Sequence, residues 1–149
     1  MKFIKFHENI SNQDHLSRIA SMVWSPNCLK LAVATADRTV LLFDDNGDRK
    51  DKFSTKPSDP SASRASYVIR GIAFSADSTK LAVAQSDNIV YVYKLGENWN
   101  DKKVICNKFT QPSAVSCLIW LSSGIIVAGL EDGRVRALHC RHETKPNEP

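Results

Sequence analysis

At 149 residues, 42% hydrophobic and 24% charged with 6 Gly and 6 Pro, the composition is that of an ordinary globular chain and excludes wholesale disorder. The formal charge of +4 comes from 20 Lys and Arg against 16 Asp and Glu, interleaved as in Asp48-Arg49-Lys50-Asp51-Lys52, which reads as a solvated surface rather than a nucleic-acid groove. The longest apolar stretch, Ile125 to Leu130, is far too short to cross a bilayer as a helix, and Met1 to Phe6 meets His7 and Glu8 before a secretory core develops, so a reducing, cytosol-connected compartment is expected.

In chain order, residues 1–18 read as an N-terminal strand, Lys2-Phe3-Ile4-Lys5-Phe6, and a linker. An internal repeat follows. Ser21 to Asp44 aligns without gaps on Gly71 to Lys94 at an offset of 50, with 8 of 24 positions identical, and Cys117 to Leu138 is a fainter third copy whose first turn is about one residue shorter. Each copy shows strand periodicity: an apolar stretch ending in Trp24, Phe74 or Trp120, a polar turn, then Leu31 to Ala34, Leu81 to Ala84 or Ile125 to Ala128. Small Ala alternating with Val suits strands packed on both faces.

A turn carrying Asp37, Asp87 or Asp132 leads to a third strand at Val40 to Phe43, Val90 to Tyr93 and, more faintly, Val135 to Leu138. A fourth strand is expected around Asp51 to Ser54 and around Val104 to Asn107, after turns at Asp45-Asn46-Gly47-Asp48 and Gly96-Glu97-Asn98. Four antiparallel strands per unit of about 40 to 50 residues is the blade of a β-propeller. The chain therefore divides into residues 1–18, a first blade at 19–54, a surface loop at 55–66, a second blade at 67–109, a partial third at 110–138 and a polar tail at 139–149.

The recurring aspartates read as structural. One carboxylate per unit in the same tight turn accepts backbone hydrogen bonds and holds the turn, with no second carboxylate to work with. No nucleophile elbow, phosphate loop or H-E-x-x-H motif is present, so neither an enzyme nor a cofactor nor a small-molecule substrate is expected. Cys28, Cys106, Cys117 and Cys140 lack metal-site spacings, and the first three read as buried or half-buried thiols. His139-Cys140-Arg141-His142 has no second ligand pair, and His7 and His15 read as solvated.

Two segments are candidates for binding. Thr55 to Ser66, with two Pro and many Ser/Thr, is either a binding loop or a spacer open to phosphorylation. Trp99, in a polar loop, either folds back on its blade or waits for a partner. Arg49, Lys50, Lys52, Lys102 and Lys103 are the candidate basic contacts, and an alternative reading makes them a membrane-surface or nucleic-acid footprint.

The repeat resembles the WD-repeat propeller family in degenerate form. The turn aspartates match at Asp37, Asp87 and Asp132, while the closing Trp-Asp is reduced to Phe43-Asp44, Tyr93-Lys94 and Leu138-His139, and the Gly-His pair is missing. Arg49 to Pro57, Asp87 to Lys94 and Asp101 to Phe109 further resemble the N-terminal propellers of intraflagellar transport proteins, the likeness running from about Ala20 to Arg136. That resemblance implies an all-β, partial WD-repeat β-propeller of about three four-stranded antiparallel blades, not closed. It implies a non-enzymatic scaffold of the intraflagellar transport B complex needed for cilium assembly and maintenance, located at the cilium, its base and the cytoplasm. It further implies docking to other subunits, including intraflagellar transport protein 57, and membrane association, with no nucleic acid as partner. After Arg136 the family pattern stops at Ala137 to Pro149, the expectation being non-family sequence at the end of a fragment, a truncated isoform or a gene-model product. About three blades fall short of the four or more of closed rings, so exposed sheet edges that aggregate or recruit a partner are expected.

Overall fold

The computed structural model describes residues 17–140. The expected strand at Lys2 to Phe6, with His7, His15 and His142, lies outside them. Eleven strands form among the described residues: β1 Ile19–Trp24, β2 Leu31–Thr35, β3 Thr39–Phe43, β4 Arg49–Ser54, β5 Ile69–Phe74, β6 Lys80–Gln85, β7 Ile89–Lys94, β8 Val104–Thr110, β9 Val115–Trp120, β10 Ile125–Leu130 and β11 Val135–His139. They pair antiparallel and in sequence order into two sheets of four strands and a third of three. The first strands are neighbours, β1 against β5 and β5 against β9, so the sheets fan out as the blades of an open, partial propeller.

The last strand runs one residue past the expected Leu138: Ala137, Leu138 and His139 of β11 pair with Val127, Ile126 and Ile125. Leu138 is buried in the core. Strand alternation is hard to see in a run this short, and ladder hydrogen bonds to β10 hold it in place.

The repeat extends to backbone conformation. Cys28, Ser78 and Gly124 occupy the first turn of their sheets at φ 61°, 63° and 91°, and Arg38, Asn88 and Gly133 the second at 68°, 67° and 91°. The first turn is closed by Ser25 N–H to Lys30 O, Ser75 N–H to Lys80 O and Leu121 N–H to Ile125 O, so the third copy is one residue shorter, as expected. Left-handed backbone disfavours a Cβ, and only the third copy meets the requirement with Gly at both turns. Cys28 is accordingly an exposed turn residue, not the buried thiol its apolar neighbours suggest. Cys28→Gly is expected to stabilise the chain by about 0.5–1 kcal/mol, read as a higher urea midpoint at unchanged slope. A lower midpoint would show that the thiol contributes more than the backbone strain costs.

The core is split in two by the middle sheet. Along β6, Leu81 and Val83 face the first sheet, where they meet Ala32, Ala34, Val40 and Leu42, while Ala82 and Ala84 face the third, against Val115, Ile126 and Ala128. On β7, Ile89, Tyr91 and Tyr93 point one way and Val90 and Val92 the other. The strict period of two places large residues on one face and small on the other. The flanking sheets show the opposite economy. Met22 on the first is 65% exposed, and Ile119 and Val135 on the third are 57% and 75% exposed. Cys117 is exposed on the same face as Ile119, its Sγ lying against the backbone of Gly129 across the pair, which corrects the expectation of a buried thiol there.

Candidate partner-binding rim

Strands β4 and β8 are the last of their sheets and pair on one side only, with β3 and β7. They carry most of the candidate basic contacts along the outer rim. Pairing of Leu42 with Asp51, Leu41 with Lys52 and Val40 with Phe53 puts Asp51 and Phe53 on the face turned to the second sheet and Lys52 on the opposite face. Lys52 and Lys102 are exposed, and Lys50 is exposed with a 3.8 Å ion pair to Asp44. Arg49 is exposed at the start of β4.

Lys103 is not a surface contact. Its side chain is 6% exposed and forms an ion pair with Asp51, itself 11% exposed, so the last strand of the first sheet is tied to the loop before β8. The Nζ also donates to Trp99 O at 2.9 Å and Asp101 O at 2.7 Å. Three acceptors around one ammonium are what burial of that charge demands. Trp99 folds back: its ring packs on the core cluster between the first two sheets, with the Lys30 ammonium 5.0 Å from the ring centroid. Burial, and then the Lys103 charge, hold the Lys30 pKa below its ordinary value. Asp101 closes the loop by accepting from Glu97 N at 3.0 Å and Asn98 N at 2.9 Å. Gly96, at φ 82°, lies so close to Asp101 that a Cβ there would collide with it.

The loop at 55–66 is strapped down over its first residues. Thr55 is buried and its hydroxyl lies 2.7 Å from Tyr67 Oη. Gln85 Nε2 donates to Lys56 O at 3.0 Å, Tyr91 Oη to Pro57 O at 2.9 Å and Ser58 N to Asp87 Oδ2 at 2.6 Å. The segment is therefore not a free spacer over its first residues. Its exposed part is a short turn in which Asp59 accepts from Ser61, followed by a 3-10 turn at Arg64–Ser66 capped by Ser63.

Each turn aspartate accepts from its own turn or the adjoining strand. Asp37 accepts from the Thr35 hydroxyl, Asp87 from Gln85 Nε2 at 3.0 Å as well as Ser58 N, and Asp132 from Arg134 N at 3.0 Å. A second set at the opposite end of the sheets escaped the sequence reading. Ser25 donates to Asn27 and Ser75 to Asp77, both at 2.6 Å. The signal was present as Ser-x-Asn and Ser-x-Asp at the repeat offset. Among the described residues no group of three or more His, Cys, Asp or Glu side chains could hold a metal ion, and no helix is long and apolar enough to cross a membrane.

Hydroxyl donors hold Asp37 and Asp77 below the ordinary carboxylate value of 3.8, Thr35 in the first case and Ser75 in the second. A depressed folded-state pKa supplies stability that is fully present above the unfolded value and lost as pH falls through the folded one. The urea midpoint is therefore expected to fall between about pH 5 and about pH 3, and Asp77→Asn to flatten that fall. Both carboxylates are largely solvated, so the effect is small. An unchanged slope in the variant would assign the acid sensitivity elsewhere.

Comparison with known proteins places two WD domain, G-beta repeat matches in the chain, at residues 8–44 and 61–94. The chain is 68% identical over 132 residues, 89% of its length, to the intraflagellar transport protein 172 homolog of Drosophila melanogaster, of which that span is 8%. It is 58% identical over 127 residues, 85% of its length, to the homolog of Homo sapiens, covering 7% of that protein. To intraflagellar transport protein 172 of Chlamydomonas reinhardtii it is 44% identical over 140 residues, 91% of its length and 8% of the relative. The chain thus spans less than a tenth of the length of the curated relatives it matches.

Proposed function

The chain belongs to the intraflagellar transport protein 172 family, and from that premise we propose that it is a non-enzymatic scaffold element of the intraflagellar transport B complex, acting by binding other subunits. The observation that supports the reading is identity of 58% and 68% to two relatives over 85% and 89% of the chain. In this reading the blades at 19–54, 67–109 and 110–138 are rigid supports, Asp37, Asp87 and Asp132 are architectural, and the exposed rim residues Arg49, Lys50, Lys52 and Lys102 meet partners. Intraflagellar transport protein 57 is the subunit to look for, and the cilium, its base and the cytoplasm are the places.

The test is capture. The tagged chain, incubated with lysate of ciliated cells, is expected to retain transport-complex subunits identified by mass spectrometry. Recovery of none, under conditions where a longer relative recovers them, would overturn the reading for this chain.

A further inference from the structure

A half-open groove of about 310 Å³ lies between β4 and β8. Its lining includes Phe53 and Tyr93, their ring centroids 5.1 Å apart, together with Lys56, Lys102, Val104 and Ile105. Lys103 lines the groove too, but its charge is consumed by Asp51 and two carbonyls. Lys56 and Lys102 are exposed and have no ion-pair partner among the described residues. The groove therefore carries two uncompensated cations beside an apolar strip.

One more group there is unaccounted for. The Tyr93 hydroxyl is buried and has no hydrogen-bond partner. Leaving such a group unpaired costs about 1–3 kcal/mol. The neighbouring Lys56 backbone N–H interacts with the oxygen outside hydrogen-bonding geometry, and as a donor it leaves the hydroxyl proton without an acceptor. Burial holds the phenol well above its ordinary pKa, so the proton stays on at any physiological pH.

We propose that the groove binds a carboxylate side chain, Asp or Glu flanked by apolar residues, from an acidic segment of a partner protein. The inference rests on the reading of this chain as a protein-binding scaffold and names the chemistry of one of its contacts. Lys56 and Lys102 supply the opposing charge, and Phe53, Val104 and Ile105 the surface against which the flanking apolar residues pack. A membrane fits less well. A flat anionic bilayer engages cations that share one plane, whereas Lys52 lies on the opposite face of β4 from Phe53, and the Tyr93 hydroxyl is recessed.

The probes are fluorescein-labelled nine-residue peptides alternating Asp or Glu with Leu or Phe, their Gln and Asn counterparts, and phosphatidylserine–phosphatidylcholine vesicles, each titrated with the full chain. Acidic peptides are expected to bind, more weakly as salt rises, and the neutral ones not. Lys56→Glu with Lys102→Glu is expected to weaken binding at least about tenfold. Because Tyr93→Phe removes a hydroxyl that is unpaired in the free chain, its urea midpoint should stay level or rise. Equal binding by the charge-reversed chain or by neutral peptides would overturn the proposal. So would vesicle binding that depends on the two lysines with no peptide binding, which assigns the groove to lipid. If the charge-reversed chain still captures transport subunits from lysate, the groove assignment fails and the scaffold reading stands. If the unaltered chain captures none, the scaffold reading fails whatever the peptides do.

Discussion

Asp51→Ala is expected to destabilise the chain by about 3 kcal/mol, because it leaves the Lys103 ammonium buried with carbonyl acceptors but no counter-charge. The control is Lys50→Ala, which removes the exposed partner of the 3.8 Å pair between Lys50 and Asp44 and is expected to cost about 0–1 kcal/mol. Replacing both partners, Asp51→Leu with Lys103→Met, should cost much less than the single change, since no buried charge is then left unpaired. Urea unfolding followed by tryptophan fluorescence reads both, Trp99 being in contact with Lys103. A loss in Asp51→Ala no larger than in Lys50→Ala would mean that the first two sheets are held by their apolar contacts alone.

Leu81→Ala comes next, at about 3 kcal/mol. Leu81 is fully buried on the face of the middle sheet that meets the first, among Phe74, Leu42 and Tyr93 of the same cluster. Its neighbour Ala82 is equally buried but faces the third sheet, where small residues leave room for Ile126 and Val115. Ala82→Leu is expected to cost about 2 kcal/mol by overpacking, the opposite error on the opposite face. Equilibrium urea unfolding separates the two from wild type. Should Leu81→Ala lose less than about 1 kcal/mol, the first two sheets would have to close over the void, a collapse that the fixed strand registers oppose.

Adjacent residues of one strand answering to different cores explains why so much of the fold was legible. The alternation of Leu81 and Val83 with Ala82 and Ala84 is local, and so is the recurrence of the same turns at an offset of 50. The strands, their order and the shortened third turn all follow from such patterns. The first loop was half legible. Its Pro and Ser content marks a connection, but the bonds from Tyr91 to Pro57 O and from Ser58 to Asp87 strap it to a sheet some 30 residues on. Cys28 and Cys117 were misread because apolar neighbours in sequence do not fix which face of a strand, or which position of a turn, a side chain takes. The candidate contacts divided in the same way. Lys52 and Lys102 stayed at the surface, whereas Lys103 and Trp99, as polar in context, turned inward.

The sequence by itself determined the repeat, the antiparallel blades, the absence of a charge cluster and the positions where the backbone must turn, since each depends on residues within a few positions of one another. Only the tertiary structure decided which rim charges are spent and which remain. Asp51 and Lys103 are 52 residues apart and meet because β4 and the loop before β8 end on facing edges of two sheets. The groove with its unpaired Tyr93 hydroxyl exists for the same reason. The packing of one sheet against the next joins faces that strand periodicity leaves independent, and with them it converts a length and a net charge of +4 into a particular site.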